Sequence, residues 1–81
     1  MQIVIYTQPS CSACVRAKNI LKSREIPFIE YEIGGNMTLE EFQEEHPGIK
    51  RVPYMPGIGG YEDLIEAIAE NPNLGKLLLN E

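Results

Sequence analysis

The chain has 81 residues, 43% of them apolar and 23% charged, which describes one small globular domain with no room for a second core and too much apolar content for disorder. A formal net charge of −5 counts against a general affinity for nucleic acid or for anionic membrane surfaces. The opening MQIVIYTQPSC has no basic stretch, and its apolar run is too short for a signal peptide or a membrane span, so the expected location is cytoplasmic.

Taken in chain order, Ile3-Val4-Ile5-Tyr6 is a continuous apolar run rich in β-branched residues and predicts a buried central strand. Gln8-Pro9-Ser10 breaks it. From about residue 12 to 24 the period becomes helical, with Cys14, Ala17 and Leu21 on one stripe and Ala13 and Ile20 beside it, and Pro27 follows soon after. Residues 28–33 alternate, with Ile29, Tyr31 and Ile33 on one side and Glu30 and Glu32 on the other, which predicts a half-buried or edge strand.

Gly34-Gly35-Asn36 reads as a turn. Thr38 with Glu41 three residues later makes a capping box, and Met37 and Phe42 are spaced for the accompanying hydrophobic staple. The helix that starts there carries Leu39, Phe42 and His46 on one stripe and stops at Pro47-Gly48. Val52 to Gly60 holds two prolines and three glycines in nine residues, so only very short strands fit. Tyr61, Leu64, Ile65 and Ile68 have helical spacing, with Glu62 and Asp63 favourably placed in the first turn, and Leu74, Leu77 and Leu78 predict a short final helix beyond Pro72. The order β-α-β-α-(β-β)-α-α, opening on a right-handed βαβ crossover, gives an α/β or α+β fold around a small mixed sheet.

Cys11 and Cys14 carry the chemistry. A C-x-x-C between the first strand and first helix of a βαβ unit is the cue for a thioredoxin-like redox site. At a helix start, Cys11 lies near unpaired N–H groups and the positive end of the helix dipole, both of which favour the thiolate, the attacking species. Cys14 lies about one turn on, within reach of a mixed disulfide but more buried. The loop that the pair would close is too small to staple a fold, and cytosolic thiols are kept reduced. Zinc needs four ligands or three plus water, and beyond the two cysteines and His46 the chain offers only carboxylates. An inert buried cysteine pair is the remaining alternative. His46, before Pro47 at a helix end, reads as a packing or capping residue rather than a base.

Of the seven basic residues, Arg16, Lys18, Lys22 and Arg24 follow the cysteines, and Lys50 and Arg51 precede Val52-Pro53. Two readings stay open for them. They form solvated helix faces, with Lys22 and Arg24 complementing a helix C-terminus, or a positive patch near the thiols suited to an anionic thiol such as glutathione.

Several segments resemble the glutaredoxin family. Tyr6-Thr7-Gln8-Pro9-Ser10-Cys11 is similar to its Tyr-Thr-Lys-x-x-Cys segment, and Cys14-Val15-Arg16-Ala17-Lys18 to its continuation. Ile26-Pro27-Phe28 resembles the start of its second strand, Val52-Pro53 its Thr-Val-Pro motif, and Gly59-Gly60-Tyr61-Glu62-Asp63-Leu64 its Gly-Gly-Tyr-x-Asp-Leu segment. The resemblance implies a thioredoxin-like α/β fold of glutaredoxin type over residues 1–81, with a small mixed sheet of four short strands flanked by helices. It implies a cis peptide before Pro53, facing the cysteines. It also implies a monomeric glutathione-dependent thiol–disulfide oxidoreductase with Cys11 as nucleophile and Cys14 as resolving thiol.

The glutathione site implied in this way comprises Gln8, Ser12, Arg51, Val52, Pro53, Gly60, Tyr61, Glu62 and Asp63. Val52 would offer main-chain hydrogen bonds, the helix start at Gly60-Tyr61-Glu62 an anion site for the α-carboxylate, and Asp63 a partner for the amino group. Read without the resemblance, Gly59-Gly60 is a tight turn and Asp63 stabilises a helix start.

The departures are specific. Gln8 stands where the family usually has lysine, and Lys50 or Arg51 is the candidate substitute. Arg51 replaces the threonine before Val-Pro, Ser12-Ala13 replaces Pro-Tyr, and only five residues separate Val-Pro from Gly-Gly. The implied substrates are low-molecular-weight disulfides, glutathionylated proteins or a reductase such as ribonucleotide reductase. Two alternatives stay open: recharging by thioredoxin reductase, and a [2Fe–2S] cluster shared between two subunits, which the serine after Cys11 leaves room for.

Overall fold

The computed structural model describes residues 3–70. Strand β1 (Ile3–Thr7) is buried along almost all of its length, as its run of β-branched residues requires. It pairs in parallel with β2 (Phe28–Glu32), Ile3 opposite Phe28 and Thr7 opposite Glu32. Parallel neighbours need a crossover, and helix α1 (Ser12–Ser23) supplies it. The predicted stripe of Cys14, Ala17 and Leu21 is its buried face. The helix ends at Arg24, whose N–H returns to the Ile20 carbonyl, with Lys22 in the last turn where a cation suits the dipole.

Helix α2 (Leu39–Glu45) has the predicted capping box. Thr38 Oγ1 accepts from the Glu41 N–H at 3.1 Å, and Glu41 Oε1 accepts from the Thr38 N–H at 3.0 Å. Met37 and Phe42, on either side of the cap, are both buried in one cluster. Helix α3 (Tyr61–Glu70) buries Leu64 and Ile68. Leu39 and Ile65, predicted on apolar stripes, are instead exposed, at the edges of those stripes. The predicted helix around Leu74, Leu77 and Leu78 lies outside the described residues. Among the described residues, no helix is long and apolar enough to cross a membrane.

Two cores sit on opposite faces of the sheet. Ile3, Ile5, Ala17, Leu21, Leu64 and Ile68 join α1 and α3 to one face. Tyr6, Ile33, Met37 and Phe42 join α2 to the other. The predicted alternation in β2 holds for Tyr31 and Ile33, which pack in the second core, whereas Ile29 is exposed and the charged side is half-buried. Phe28 packs on the first core, and Glu30 Oε2 accepts from Thr7 Oγ1 at 2.6 Å and from Lys18 Nζ at 3.0 Å.

The expected four strands are reduced to two strands and single bridges among the described residues. Tyr54 pairs antiparallel with Tyr6, and Met55 with Gly59. The physical reason is composition. Pro53 and Pro56 carry no N–H, and the five residues between Val52-Pro53 and Gly59-Gly60 leave no length for a second rung on either bridge.

The Thr7 hydroxyl, and then the Lys18 ammonium, hold the Glu30 carboxyl below its ordinary value, against burial that raises it. A lowered folded value means that the folded chain releases this proton more readily than the unfolded one. The contribution to stability is therefore complete above about pH 4.5 and lost as pH falls through the folded value. Thr7→Val should destabilise the protein at neutral pH, with the gap from wild type narrowing by about pH 3 in denaturant titrations. An equal gap at both pH values would show that the bond does not favour the ionised carboxylate.

Candidate active site

Strand β1 delivers the chain to an exposed turn, Gln8-Pro9-Ser10. Ser10 sits in the left-handed region at φ 61°, which turns the backbone into α1. Cys11 is the N-cap of that helix. Its backbone is extended, its carbonyl accepts the first helical bond from the Val15 N–H at 3.1 Å, and its Sγ accepts from the Cys14 N–H at 3.1 Å. Ser or Asp commonly fills this position by offering an oxygen to the same donors. Here a sulfur does so, and those donors and the dipole stabilise it as a thiolate. The first turn of α1 contains no acidic residue to oppose this.

The two sulfurs are joined as a disulfide, with the Cα atoms 5.2 Å apart. Their surroundings differ. Cys11 is half-buried, whereas Cys14 is 1% exposed within α1. Opposite Cys11 lies the Val52 carbonyl, 3.9 Å from its Sγ, and the peptide from Val52 to the buried Pro53 is cis.

Two clefts flank Val52. One, of about 350 Å³, runs between Arg51-Val52-Pro53 and Gly60-Tyr61-Glu62-Asp63, with Ala13 at its α1 side. The other, of about 340 Å³, is lined by Gln8, Phe42, Gln43, Lys50, Arg51 and Val52, among others. Seven of the nine residues in the implied glutathione site thus share one cleft, and Gln8 faces the other. Ser12 lies exposed at the start of α1 and lines neither. Gln43 joins Gln8 although the sequence carries no signal for it. It sits on the polar side of α2, and only the packing of that helix brings it to the cleft.

The rim at Gly59–Asp63 is built by local bonds. Asp63 Oδ2 accepts from the Gly60 N–H at 2.8 Å, closing the start of α3. Gly59 has φ 120°, and a Cβ there would overlap the Asp63 carboxylate, so the close approach requires glycine. Of the basic residues near the thiols in sequence, Lys18 is bound to Glu30, while Arg16 is exposed. His46 takes the C-cap of α2, with its ring in the Tyr6–Phe42–Tyr54 cluster.

Residues 3–58, more than half of the chain, match the family model described as Glutaredoxin. The chain belongs to the glutaredoxin family. It is 34% identical over 86 residues to Glutaredoxin 1 of Rickettsia conorii, covering 98% of this chain and 82% of that protein. It is 36% identical over 66 residues to Glutaredoxin 3 of Escherichia coli K12, covering 76% and 80%. The solution structure of a glutaredoxin from Brucella melitensis superposes with a TM-score of 0.69 at 31% identity, over 96% of this chain and 88% of that one. The fold is accordingly the thioredoxin-like fold of glutaredoxins, and the protein is a thiol–disulfide oxidoreductase.

The unequal burial of the sulfurs is directly measurable. After reduction, iodoacetamide should modify Cys11 at least about tenfold faster than Cys14, read by mass spectrometry of peptides quenched over time. Equal rates, or faster modification of Cys14, would show that the helix start does not set their order.

Proposed function

We propose that this glutaredoxin reduces disulfides and glutathione mixed disulfides at the expense of glutathione, with Cys11 as nucleophile and Cys14 as resolving thiol. The observation that carries the reading is the cleft between Arg51-Val52-Pro53 and Gly60–Asp63, whose Val52 wall also approaches Cys11 Sγ. It puts peptide carbonyl and N–H groups, a cation and two carboxylates along one face beside the sulfur. That set suits a small peptide thiol with its own amino and carboxylate groups. With the Gly60 N–H committed to Asp63, the following N–H groups at the start of α3 have no intrahelical acceptor and suit a carboxylate.

In the reaction, the Cys11 thiolate attacks one sulfur of the substrate disulfide and expels the other as a thiolate. Two routes then close the cycle. Glutathione attacks the substrate sulfur of the mixed disulfide, expelling the Cys11 thiolate and carrying that sulfur away as a disulfide with glutathione. Alternatively, Cys14 loses its proton and attacks Cys11 Sγ, releasing the second substrate thiol and forming the Cys11–Cys14 disulfide, which two glutathione molecules reduce. The Cys14 N–H bond to Cys11 Sγ stabilises Cys11 both as attacking and as leaving thiolate. This chemistry belongs in a reducing compartment such as the cytoplasm, with small disulfides or a disulfide-bearing protein such as ribonucleotide reductase as oxidant.

A [2Fe–2S] cluster shared between two subunits is the second reading: it would take Cys11, the more accessible cysteine, from each chain and the remaining thiolates from glutathione, with the buried Cys14 taking no part.

A coupled assay with glutathione, glutathione reductase, NADPH and a small glutathione mixed disulfide tests the reading. Wild type and Cys14→Ser should turn over, and Cys11→Ser should fall to background. Activity only when thioredoxin reductase replaces the glutathione system would overturn the choice of reductant, and activity retained in Cys11→Ser would overturn the assignment of the nucleophile.

A further inference from the structure

We propose that Thr7 and Glu30 form a proton relay, which takes the proton of Cys14 when this buried thiol resolves a mixed disulfide on Cys11. The inference rests on Cys14 being the resolving thiol, but not on glutathione being the reductant.

The resolving step poses a problem of access. Cys14 is 1% exposed, and a thiol buried in this way holds its proton unless a group inside the protein takes it. The packing around it shows which group that is. A crossover helix between parallel strands runs against them, so the first turn of α1 lies over the end of β1. Ile3, Ile5 and Thr7 alternate onto one side of β1, where Ile3 and Ile5 share a core with Ala17 and Leu21. Cys14 precedes Ala17 on the same buried stripe and therefore stands at the level of Thr7.

The Thr7 hydroxyl is placed to pass a proton on. The residue is 1% exposed, and its Oγ1 donates to Glu30 Oε2 at 2.6 Å. Among the described residues no group donates to that oxygen in return, so its lone pairs are left for the Cys14 S–H. Lys18, one turn beyond Cys14 on α1, donates to the same Glu30 oxygen at 3.0 Å. Thr7 and Lys18 together hold the Glu30 carboxyl below its ordinary value, which leaves it ionised at neutral pH and able to accept. Glu30 also lines a surface cleft of about 260 Å³ with Glu32 and Asn36, through which the proton reaches water. Other titratable groups lie elsewhere. Helix α3 gives this core Leu64 and Ile68, while Tyr6, Glu45 and His46 meet on the opposite side of the sheet.

The step balances within the protein and its substrate. As Cys14 Sγ bonds to Cys11 Sγ, the bond from Cys11 to the substrate sulfur breaks and that sulfur leaves as a thiolate. The Cys14 proton moves to Thr7 Oγ1 while the Thr7 proton moves to Glu30 Oε2, and Glu30 then gives it to water. Cys14 is oxidised and the substrate sulfur is reduced. The relay ends reset, with Thr7 donating to a Glu30 carboxylate beside a closed Cys11–Cys14 disulfide, which is the arrangement in the structure.

Stopped-flow mixing of reduced protein, freed of its reductant, with excess dithiobis(nitrobenzoate) separates the two steps, since each releases one coloured thiolate. The first phase scales with reagent concentration, and the second, being intramolecular, does not. Thr7→Val and Glu30→Gln should each slow the second phase at least about tenfold relative to the first. Thr7→Ser, which restores the hydroxyl, should recover most of that loss. An unchanged ratio in Glu30→Gln, or equal slowing of both phases, would overturn the relay, as would Thr7→Ser no faster than Thr7→Val. Glu30→Gln keeps the shape of its side chain, so it decides the matter even where Thr7→Val fails to fold. A wild type without a concentration-independent second phase would overturn the resolving role of Cys14 itself, and the relay with it.

Discussion

One backbone rung fixes the geometry on which the site depends. The Tyr6 N–H donates to the Tyr54 carbonyl at 2.8 Å, and the Tyr54 N–H donates to the Tyr6 carbonyl at 3.1 Å. Tyr6 lies five residues before Cys11, and Tyr54 lies two residues after Val52. This pair of bonds therefore sets the separation between the segment that delivers the sulfur and the segment that walls the groove. With prolines on both sides of Tyr54-Met55 unable to donate, no neighbouring rung shares that work.

The Tyr6 side chain reinforces what its backbone does. Its ring stacks against Tyr31 at 5.5 Å and Tyr54 at 6.1 Å, and it meets Phe42 and His46 at 5.0 and 4.9 Å. Its hydroxyl lies 3.0 Å from His46 Nε2 and donates to Glu45 Oε2 at 3.4 Å. Burial, and then Glu45, push the phenol upward, so it stays neutral and able to donate. One residue thus ties β1, β2, the Tyr54 segment and the end of α2 together. The short α2 needs that anchor, because seven residues form too few helical bonds to persist without a cap and a buried face.

What could be read in the sequence was local or periodic. The cap at Thr38, the buried stripe of α1 and the parallel strand–helix–strand unit follow from spacing and from single side chains that satisfy nearby backbone groups. The segment Val52–Gly60 could not be read so well, because its prolines and glycines say what it cannot form. Its actual path is set by Tyr6, about fifty residues away. Glu30 was obscured for a related reason: alternation shows which residues share a side of β2, but not that Thr7 and Lys18 bind Glu30 there. At the site, Cys11 and Cys14 carried their own signal, and the residues around Val52 and Gly60 entered through family resemblance. Gln43 had neither, since on a polar helix face only tertiary packing distinguishes it from Glu40 or Glu44.

The same rung bears on where the site keeps its charge. The family pattern puts a lysine at the position of Gln8, on an exposed turn whose course to Cys11 passes through Pro9 and the left-handed Ser10. In this chain that position is neutral, and the cation stands at Arg51, three residues before Tyr54. The backbone of Arg51 is therefore referenced to the sheet, whereas a side chain at position 8 is referenced to a turn. Val52, between Arg51 and the buried Pro53, carries the carbonyl nearest Cys11 Sγ. Arg51 therefore borders both clefts that flank Val52, whereas Gln8 lines only one of the two.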